Sequence, residues 1–239
     1  MINKLTILIP AYKSGELLVR HLDFISKKIK IIIVDNSNNK ILKKKLEKKY
    51  KNTKVILKKN IGYGRAINAG AKLVKSKFFF VMNPDTIIFN NTLKKIIKTA
   101  EKIKIFGVLS PDHIENKKKN NKTIEEKQTV AGGAMLFNTK IFKKLKGFDE
   151  NIFLYYEDND FYKRCRMRGY KLYVVKNCFF FHKKNNSSSA IYKNKNEEDY
   201  FKLIAGWHGQ WSKFYYNRKY HGLFKTLIKK LATIGYYDY

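Results

Sequence analysis

Cysteine, proline and acidic residues are scarce in this 239-residue chain, and each shortage excludes something. Two cysteines, Cys165 and Cys178, cannot build a disulfide framework, and no C-x-x-C pair offers a zinc site. Both read as reduced thiols in packed positions. No run approaches the roughly 18 apolar residues of a membrane span. The opening MINKLTILIPAYK has too short an apolar stretch, broken by Pro10, to serve as a signal peptide, so a cytosolic chain is expected. Only 19 acidic residues face 51 basic ones, for a net charge of +32. Such a field attracts polyanions. Just six of the basic residues are arginines, however, and lysine abundant together with asparagine and isoleucine is what an AT-rich coding bias writes onto any surface. The other reading of the charge is contact with nucleic acid or with an anionic membrane face. No RNA- or DNA-binding signature occurs, so no specific nucleic-acid partner is expected. Hydrophobic residues at 44% and aromatic residues at 15% exclude wholesale disorder.

The first 110 residues alternate β-branched runs with helical spacing. Lys4–Ile9, Lys30–Val34, Lys54–Leu57 and Phe78–Met82 predict strands apolar on both faces, with helices over Ser14–Ser26, Ile41–Tyr50 and Gly64–Lys75 between them. That rhythm predicts an α/β fold with a parallel, doubly wound sheet, whose ligands bind beyond the carboxyl ends of the strands. Pro10 to Tyr12, Asp35 to Ser37 and Asn83 to Thr86 stand there. The polar stretch Pro111–Lys127 predicts a surface loop, and Thr129–Phe137 a strand interrupted by a glycine pair where something comes close. Glu157–Arg168 predicts a helix, Tyr170–Val175 and Cys178–His182 two strands, and the aromatic, basic segment beyond Asn194 two helices.

Several groups carry possible chemistry. Asp35, directly after IIIV, is placed to accept the imide N–H of a uracil or thymine ring, or else to cap an Asx-turn. In NIGYGRAINAG, Gly62 and Gly64 open a helix whose N-terminus suits a diphosphate, with Arg65 as a forked donor. Asp85, in the turn MNPDT, can share a divalent cation with substrate phosphate, and His182 at the end of CFFFH can supply a second ligand. Five carboxylates, Asp149, Glu150, Glu157, Asp158 and Asp160, gather within twelve residues of a strongly basic chain. Asp160 has an ion-pair partner at i+4 in Arg164. Asp158, at a helix start, is placed as a general base.

ILIPAY, IIIVDNS, NIGYGRAINAG, FFFVMNPDT, AGGAMLF, GFDENIFLYYEDNDFYKRCRMRGY and FFFH follow one another in an order and spacing that resemble glycosyltransferase family 2, in particular its bacterial rhamnosyltransferase-type members. The resemblance runs over about residues 3–185. It implies a GT-A (Rossmann-like), mostly parallel sheet flanked by helices in residues 1–185, with residues 186–239 as a C-terminal helical extension facing membrane or acceptor. It further implies inverting transfer from a nucleotide-sugar donor, dTDP-rhamnose or a UDP-sugar, assisted by Mg²⁺ or Mn²⁺. The acceptor class is a saccharide, often lipid-linked, of a cell-envelope polysaccharide, and the location the inner face of the membrane. By the same resemblance Asp35 reads the base, Asp85 and His182 hold the metal, Asp158 is the catalytic base and Glu157 lies on the acceptor side. Pro10, Tyr12, Asn60, Gly62, Arg65, Asn68, Asn83 and Gly133 complete the donor-binding set. One position departs from the family pattern: Asn83 stands where the first acidic residue of the metal motif is expected. A donor-binding pseudoenzyme and a basic nucleic-acid-binding protein are the competing readings.

Overall fold

Apolar β-branched runs without alternation have to be covered on both faces. The computed structural model describes residues 2–89, 91–116, 123–182 and 194–234, and it covers them so. Strands β1 (Leu5–Ala11), β2 (Lys30–Asp35), β3 (Thr53–Leu57) and β4 (Phe78–Met82) alternate with helices α1 (Gly15–Leu22), α2 (Lys40–Lys49) and α3 (Tyr63–Ala71). The strands pair in parallel in the order β3-β2-β1-β4. Ile7, Ile9, Phe78 and Phe80 pack to one face with Leu18, Leu22 and Ile96, whereas Leu8, Phe79 and Val81 pack to the other with Ile67 and Phe161.

Proline inside a central strand normally costs a ladder bond. Pro10 escapes that cost because β1 and β4 are paired only from Leu5–Phe78 to Leu8–Val81, while β1 stays paired with β2 as far as Ala11–Asp35. The missing N–H therefore marks where the central strands separate, the place where a doubly wound sheet opens its crevice.

The second half reverses the pairing. After β5 (Ile87–Ile88) and α4 (Thr92–Ile103) come β6 (Val108–His113), β7 (Ile124–Lys127), β8 (Ala134–Asn138), α5 (Thr139–Lys144), α6 (Glu157–Met167) and β9 (Leu172–Phe181). β8 lies antiparallel between β4 and β6, and β9 runs parallel to β6 with a register shift at Pro111/Asp112. The nine-stranded sheet thus has the order β3-β2-β1-β4-β8-β6-β9-β5, with β7 also on β9. Helices α7 (Lys195–His221) and α8 (Leu223–Ile234) follow.

Three expectations are corrected here. The ends of the presumed loop Pro111–Lys127 are strands β6 and β7, and its residues 117–122 lie outside the described residues. β7 reads as loop because its residues, IEEK, are polar; they are used along an edge, where Glu125 and Glu126 pair with Lys176 and Lys171. The glycine pair ends in a turn before β8 instead of interrupting it, and the two strands foreseen over Tyr170–His182 are the single β9. The division at residue 185 lies outside the described residues.

The C-terminal helix α7 is held on the sheet domain by two of the five clustered carboxylates. Lys219 Nζ reaches Asp149 Oδ2 and Asp160 Oδ1, each at 2.6 Å, and the hydroxyls of Tyr215 and Tyr220 donate to the same two side chains. Asp160 also accepts from Arg164 Nε at 2.7 Å, the pair its i,i+4 spacing foretells.

Candidate active site

The turn after β4 is held from both sides. Thr86 N–H donates to Asn83 O (3.0 Å), while Asn83 N–H and the Thr86 hydroxyl both donate to Gly133 O (3.2 and 2.9 Å). Outside the turn, His21 Nδ1 lies 2.6 Å from the Pro84 carbonyl oxygen. This frame fixes an Asp85 carboxylate that is only 1% exposed and whose oxygens have no hydrogen-bond partner. His182, one residue past β9, places Nε2 3.1 Å from Asp85 Oδ1 without hydrogen-bond alignment, and 3.3 Å from Asn83 Nδ2.

Buried polar atoms are rarely left unpartnered, and a buried charge least of all. An imidazole nitrogen and a carboxylate oxygen about 3 Å apart have the spacing of neighbouring donors around a small octahedral cation with bonds of about 2.1 Å. Oxygen with imidazole suits Mg²⁺ or Mn²⁺. The residues therefore fit the cation. Among the described residues no three His, Cys, Asp or Glu side chains gather as a metal site. Asp85 and His182 would supply the protein's share of the ligands, with water and substrate phosphate supplying the rest, as is common for Mg²⁺.

Gly132 and Gly133 link this group to the α6 carboxylates. A Cβ at Gly132 would stand 3.2 Å from Asp158 Oδ2, and one at Gly133 would stand 3.2 Å from His182 Cγ. What comes close to the glycine pair is thus Asp158 on one side and His182 on the other. Tyr63, at the start of α3, closes the cluster. Its hydroxyl donates to Asn83 Oδ1 at 2.8 Å and lies 3.3 Å from Gly132 O. Burial first, then the charges of Glu157, Asp158 and Asp85, push its pKa well above the usual tyrosine value, so Tyr63 remains a neutral donor.

Glu157 and Asp158 open α6 behind Tyr155 and Tyr156, whose φ angles of 64° and 67° are left-handed. Consecutive non-glycine residues in that region store strain of the kind found at functional sites. Burial, aided by the charge of Asp158, pushes Glu157 up to about 8, and its Oε2 has no partner. Burial raises Asp158 as well, against the Asn159 N–H and side-chain amide that its Oδ1 accepts at 2.7 and 3.1 Å. Burial thus favours a proton on Glu157 near neutrality. Glu157 and Asp158 line a cavity of about 550 Å³, walled on one side by Tyr155, Tyr156 and Asn159 and on the other by Gly209, Gln210 and Lys213 of α7. A larger, mostly apolar cavity of about 750 Å³ lies behind the Asn83–Thr86 turn, between α1 and α4, and none of these carboxylates reaches it.

The other sequence-selected residues are placed as follows. Pro10 lies inside β1, and Tyr12 just beyond it meets Phe201 of α7 edge-on at 6.4 Å. Asp35 is buried at the end of β2, its oxygens accepting Ser37 N–H (2.9 Å) and Asn39 N–H (2.8 Å), so it forms the Asx-turn. Asn60 is exposed, with Oδ1 3.4 Å from Gly62 N. On α3, Gly62 has φ +89° and lies so close to Phe153 that a Cβ would stand 2.4 Å from its O, Arg65 Nε donates to Glu150 O (2.5 Å), and Asn68 brackets Phe148 through its N–H and C=O, each at 2.9 Å. These residues hold the 148–153 segment that carries α6 into position. Sequence reasoning passed over Tyr63; its signal was an aromatic hydroxyl at a helix start directly after a strained glycine.

The sequence profile of Glycosyl transferase family 2 matches residues 6–179. Rhamnosyltransferase WbbL of Escherichia coli (strain K12) is 24% identical over 229 residues, covering 80% of this chain and 83% of that protein. Among solved structures, the mannosyltransferase PcManGT from Pyrobaculum calidifontis, in complex with GDP-Man and Mn²⁺, superposes with a TM-score of 0.63 at 14% identity over 98% of this chain and 81% of its own. GalNAc-T7 with UDP, GalNAc and Mn²⁺ gives a TM-score of 0.65 at 16% identity over 76% of this chain, which spans 44% of that larger protein. The fold is that of GT-A glycosyltransferases, and with the profile covering most of its length the chain belongs to glycosyltransferase family 2.

Proposed function

We propose that this glycosyltransferase inverts the anomeric carbon as it moves a sugar, rhamnose from dTDP-rhamnose or a hexose from a UDP-sugar, to a hydroxyl of a saccharide or lipid-linked acceptor for cell-envelope polysaccharide. The observation that carries the reading is the pairing of the partnerless Asp85 carboxylate and His182 with Asp158 across Gly132 and Gly133. E. coli WbbL, by its name a rhamnosyltransferase, supports the donor class. The neighbours holding a nucleotide or nucleotide sugar together with Mn²⁺ support a divalent cation, Mg²⁺ or Mn²⁺.

Asp158 Oδ2 accepts the proton of the acceptor hydroxyl as that oxygen bonds to the sugar C1. The bond from C1 to the diphosphate oxygen breaks, and the nucleoside diphosphate leaves. Glu157, protonated beside it, keeps a second negative charge away from the incoming oxygen. Tyr63 and Asn83 fix the turn that presents Asp85. Asp85 and His182 would hold a divalent cation, which when bound would neutralise charge on the departing diphosphate. Asp35 and Tyr12 are the candidates for the base end of the donor, with Gly133 beside the diphosphate. Tyr155, Tyr156, Gln210 and Lys213 face the acceptor.

The test begins with a thermal-shift screen of dTDP-, UDP- and GDP-sugars with Mg²⁺ or Mn²⁺. The selected donor is then carried into a turnover assay with NMR of the product's anomeric configuration. Replacing the base, Asp158→Asn, should lower kcat by roughly 10² to 10⁴ and leave the donor-induced shift in place. Undiminished turnover would remove Asp158 from the reaction, and a retained configuration would overturn inversion.

A further inference from the structure

We infer that the α7–α8 pair is an interfacial docking surface for an anionic lipid bilayer, and that it sets the mouth of the Asp158 cavity at headgroup level. On α7, Leu203, Trp207 and Trp211 recur every three to four residues and so share one stripe. That stripe faces solvent, with Trp207 62% and Trp211 49% exposed and their rings stacked at 6.5 Å. On α8, Leu223, Phe224 and Leu227 do the same, with Phe224 77% exposed. No helix of the described residues is long and apolar enough to cross a membrane. Apolar exposure on helices of this kind belongs to lying on a bilayer.

Charge identifies the occupant. From Tyr200 to Ile234 there are seven basic residues and no acidic one; Lys202 and Lys219 are engaged by Glu198 and by Asp149 and Asp160, and the carboxylates of α7, Glu197, Glu198 and Asp199, are confined to its N-terminal end. A second copy seated there in two-fold fashion would set like charge against like. Anionic headgroups complement it at roughly 1 kcal/mol, or about fivefold, per basic residue near the surface, and tryptophan is the side chain favoured at the headgroup boundary. Gln210, about one turn beyond Trp207, lies beside the stripe, and it lines the cavity that holds Asp158 together with Lys213, most of a turn further on. A lipid-linked acceptor would then meet the base without leaving the membrane surface. That last consequence rests on the transferase reading; the docking itself needs neither donor nor acceptor.

The chain has two tryptophans, both on this stripe, so its tryptophan emission reports on this face alone. In a flotation assay the full chain should rise with vesicles of phosphatidylcholine and phosphatidylglycerol, and stay behind with phosphatidylcholine alone. Its tryptophan emission should shift to the blue, and added salt should weaken the binding. Trp207→Ser with Trp211→Ser should weaken partitioning about tenfold or more, and Lys225→Gln roughly fivefold, with unchanged circular dichroism and an unchanged thermal shift from nucleotide sugar. A wild-type chain that shows that thermal shift but floats with neither vesicle overturns docking and leaves the donor site standing. Flotation without the thermal shift removes the transferase reading alone. Flotation undiminished by the double tryptophan variant overturns insertion by this stripe. A dimer, seen by sedimentation and lost in the same variant without any vesicle binding, gives the face to a second copy.

Discussion

Asp85 is the side chain whose placement costs the fold most visibly, because a fixed, buried carboxylate with no donor is a liability until a cation arrives. Asp85→Asn should therefore raise the melting temperature of the ligand-free protein, by the equivalent of about 1–3 kcal/mol, while abolishing any metal-dependent donor shift. An unchanged or lowered melting temperature would mean that the carboxylate is satisfied in the apo protein. Glu157 carries a liability of opposite sign with pH. Its folded pKa, about 8, lies above the unfolded value of 4.5, so its contribution is fully present below 4.5 and is lost as pH rises through 8. Glu157→Gln, neutral throughout, should lack that decline and gain on the wild type across this window, by roughly a few kcal/mol at its upper end. Parallel stability curves for the two proteins, by urea titration at several pH values, would show that Glu157 is not held protonated. At this scale the gathering of Asp85, Asp158 and His182 around Gly132 and Gly133 was legible because each ends or begins an element in a recognisable phrase. The work of Gly62, Arg65 and Asn68 was not, since it depends on a segment some 80 residues further along the chain.

At the scale of elements, continuous apolar runs identified β1, β2 and β4 because both their faces are buried, whereas β7 hid because an edge strand can be built from charged residues that pair with the strand beside them. The acidic run before and within α6 was visible as a reversal of sign, but its division of labour was not. Asp149 and Asp160 serve as anchors for α7, and Glu157 and Asp158 remain to line the cavity. Only the Arg164 half of the Asp160 pairing follows from helix spacing; Lys219 lies 59 residues away. This arrangement makes α7 a wall of the cavity that Glu157 and Asp158 line, and its seat can be loosened. Lys219→Met leaves both anchor carboxylates one cation short, so the urea midpoint should fall by the equivalent of about 1–3 kcal/mol. The acceptor KM should rise while donor affinity holds, because Gln210 and Lys213 shift and the Asn83–Asp85 turn does not. Loss of donor affinity in parallel would place α7 in the donor site.

The whole molecule's charge of +32 then needs its own account, since the family chemistry needs only a few cations near a diphosphate. Among the described residues nine of the 19 acidic side chains pair with a lysine or arginine, for example Glu47 with Lys43, Glu101 with Lys4, Asp23 with Lys49, and Glu125 and Glu126 with Lys176 and Lys171. The surplus lysine is spread along the chain, and the arginines that would favour forked recognition are six. Lysine contacts to phosphate carry no sequence information. Two unrelated oligonucleotides of equal length should therefore bind with equal affinity, and both should lose at least about tenfold between roughly 50 and 200 mM salt, with log K linear in log salt. Fluorescence anisotropy in a salt series measures both quantities. If one oligonucleotide kept a preference of about a hundredfold at the higher salt, base readout would be at work, and the charge would belong to nucleic acid; equal, collapsing affinities assign it to a generic attraction for polyanions, the same attraction on which the proposed lipid docking relies.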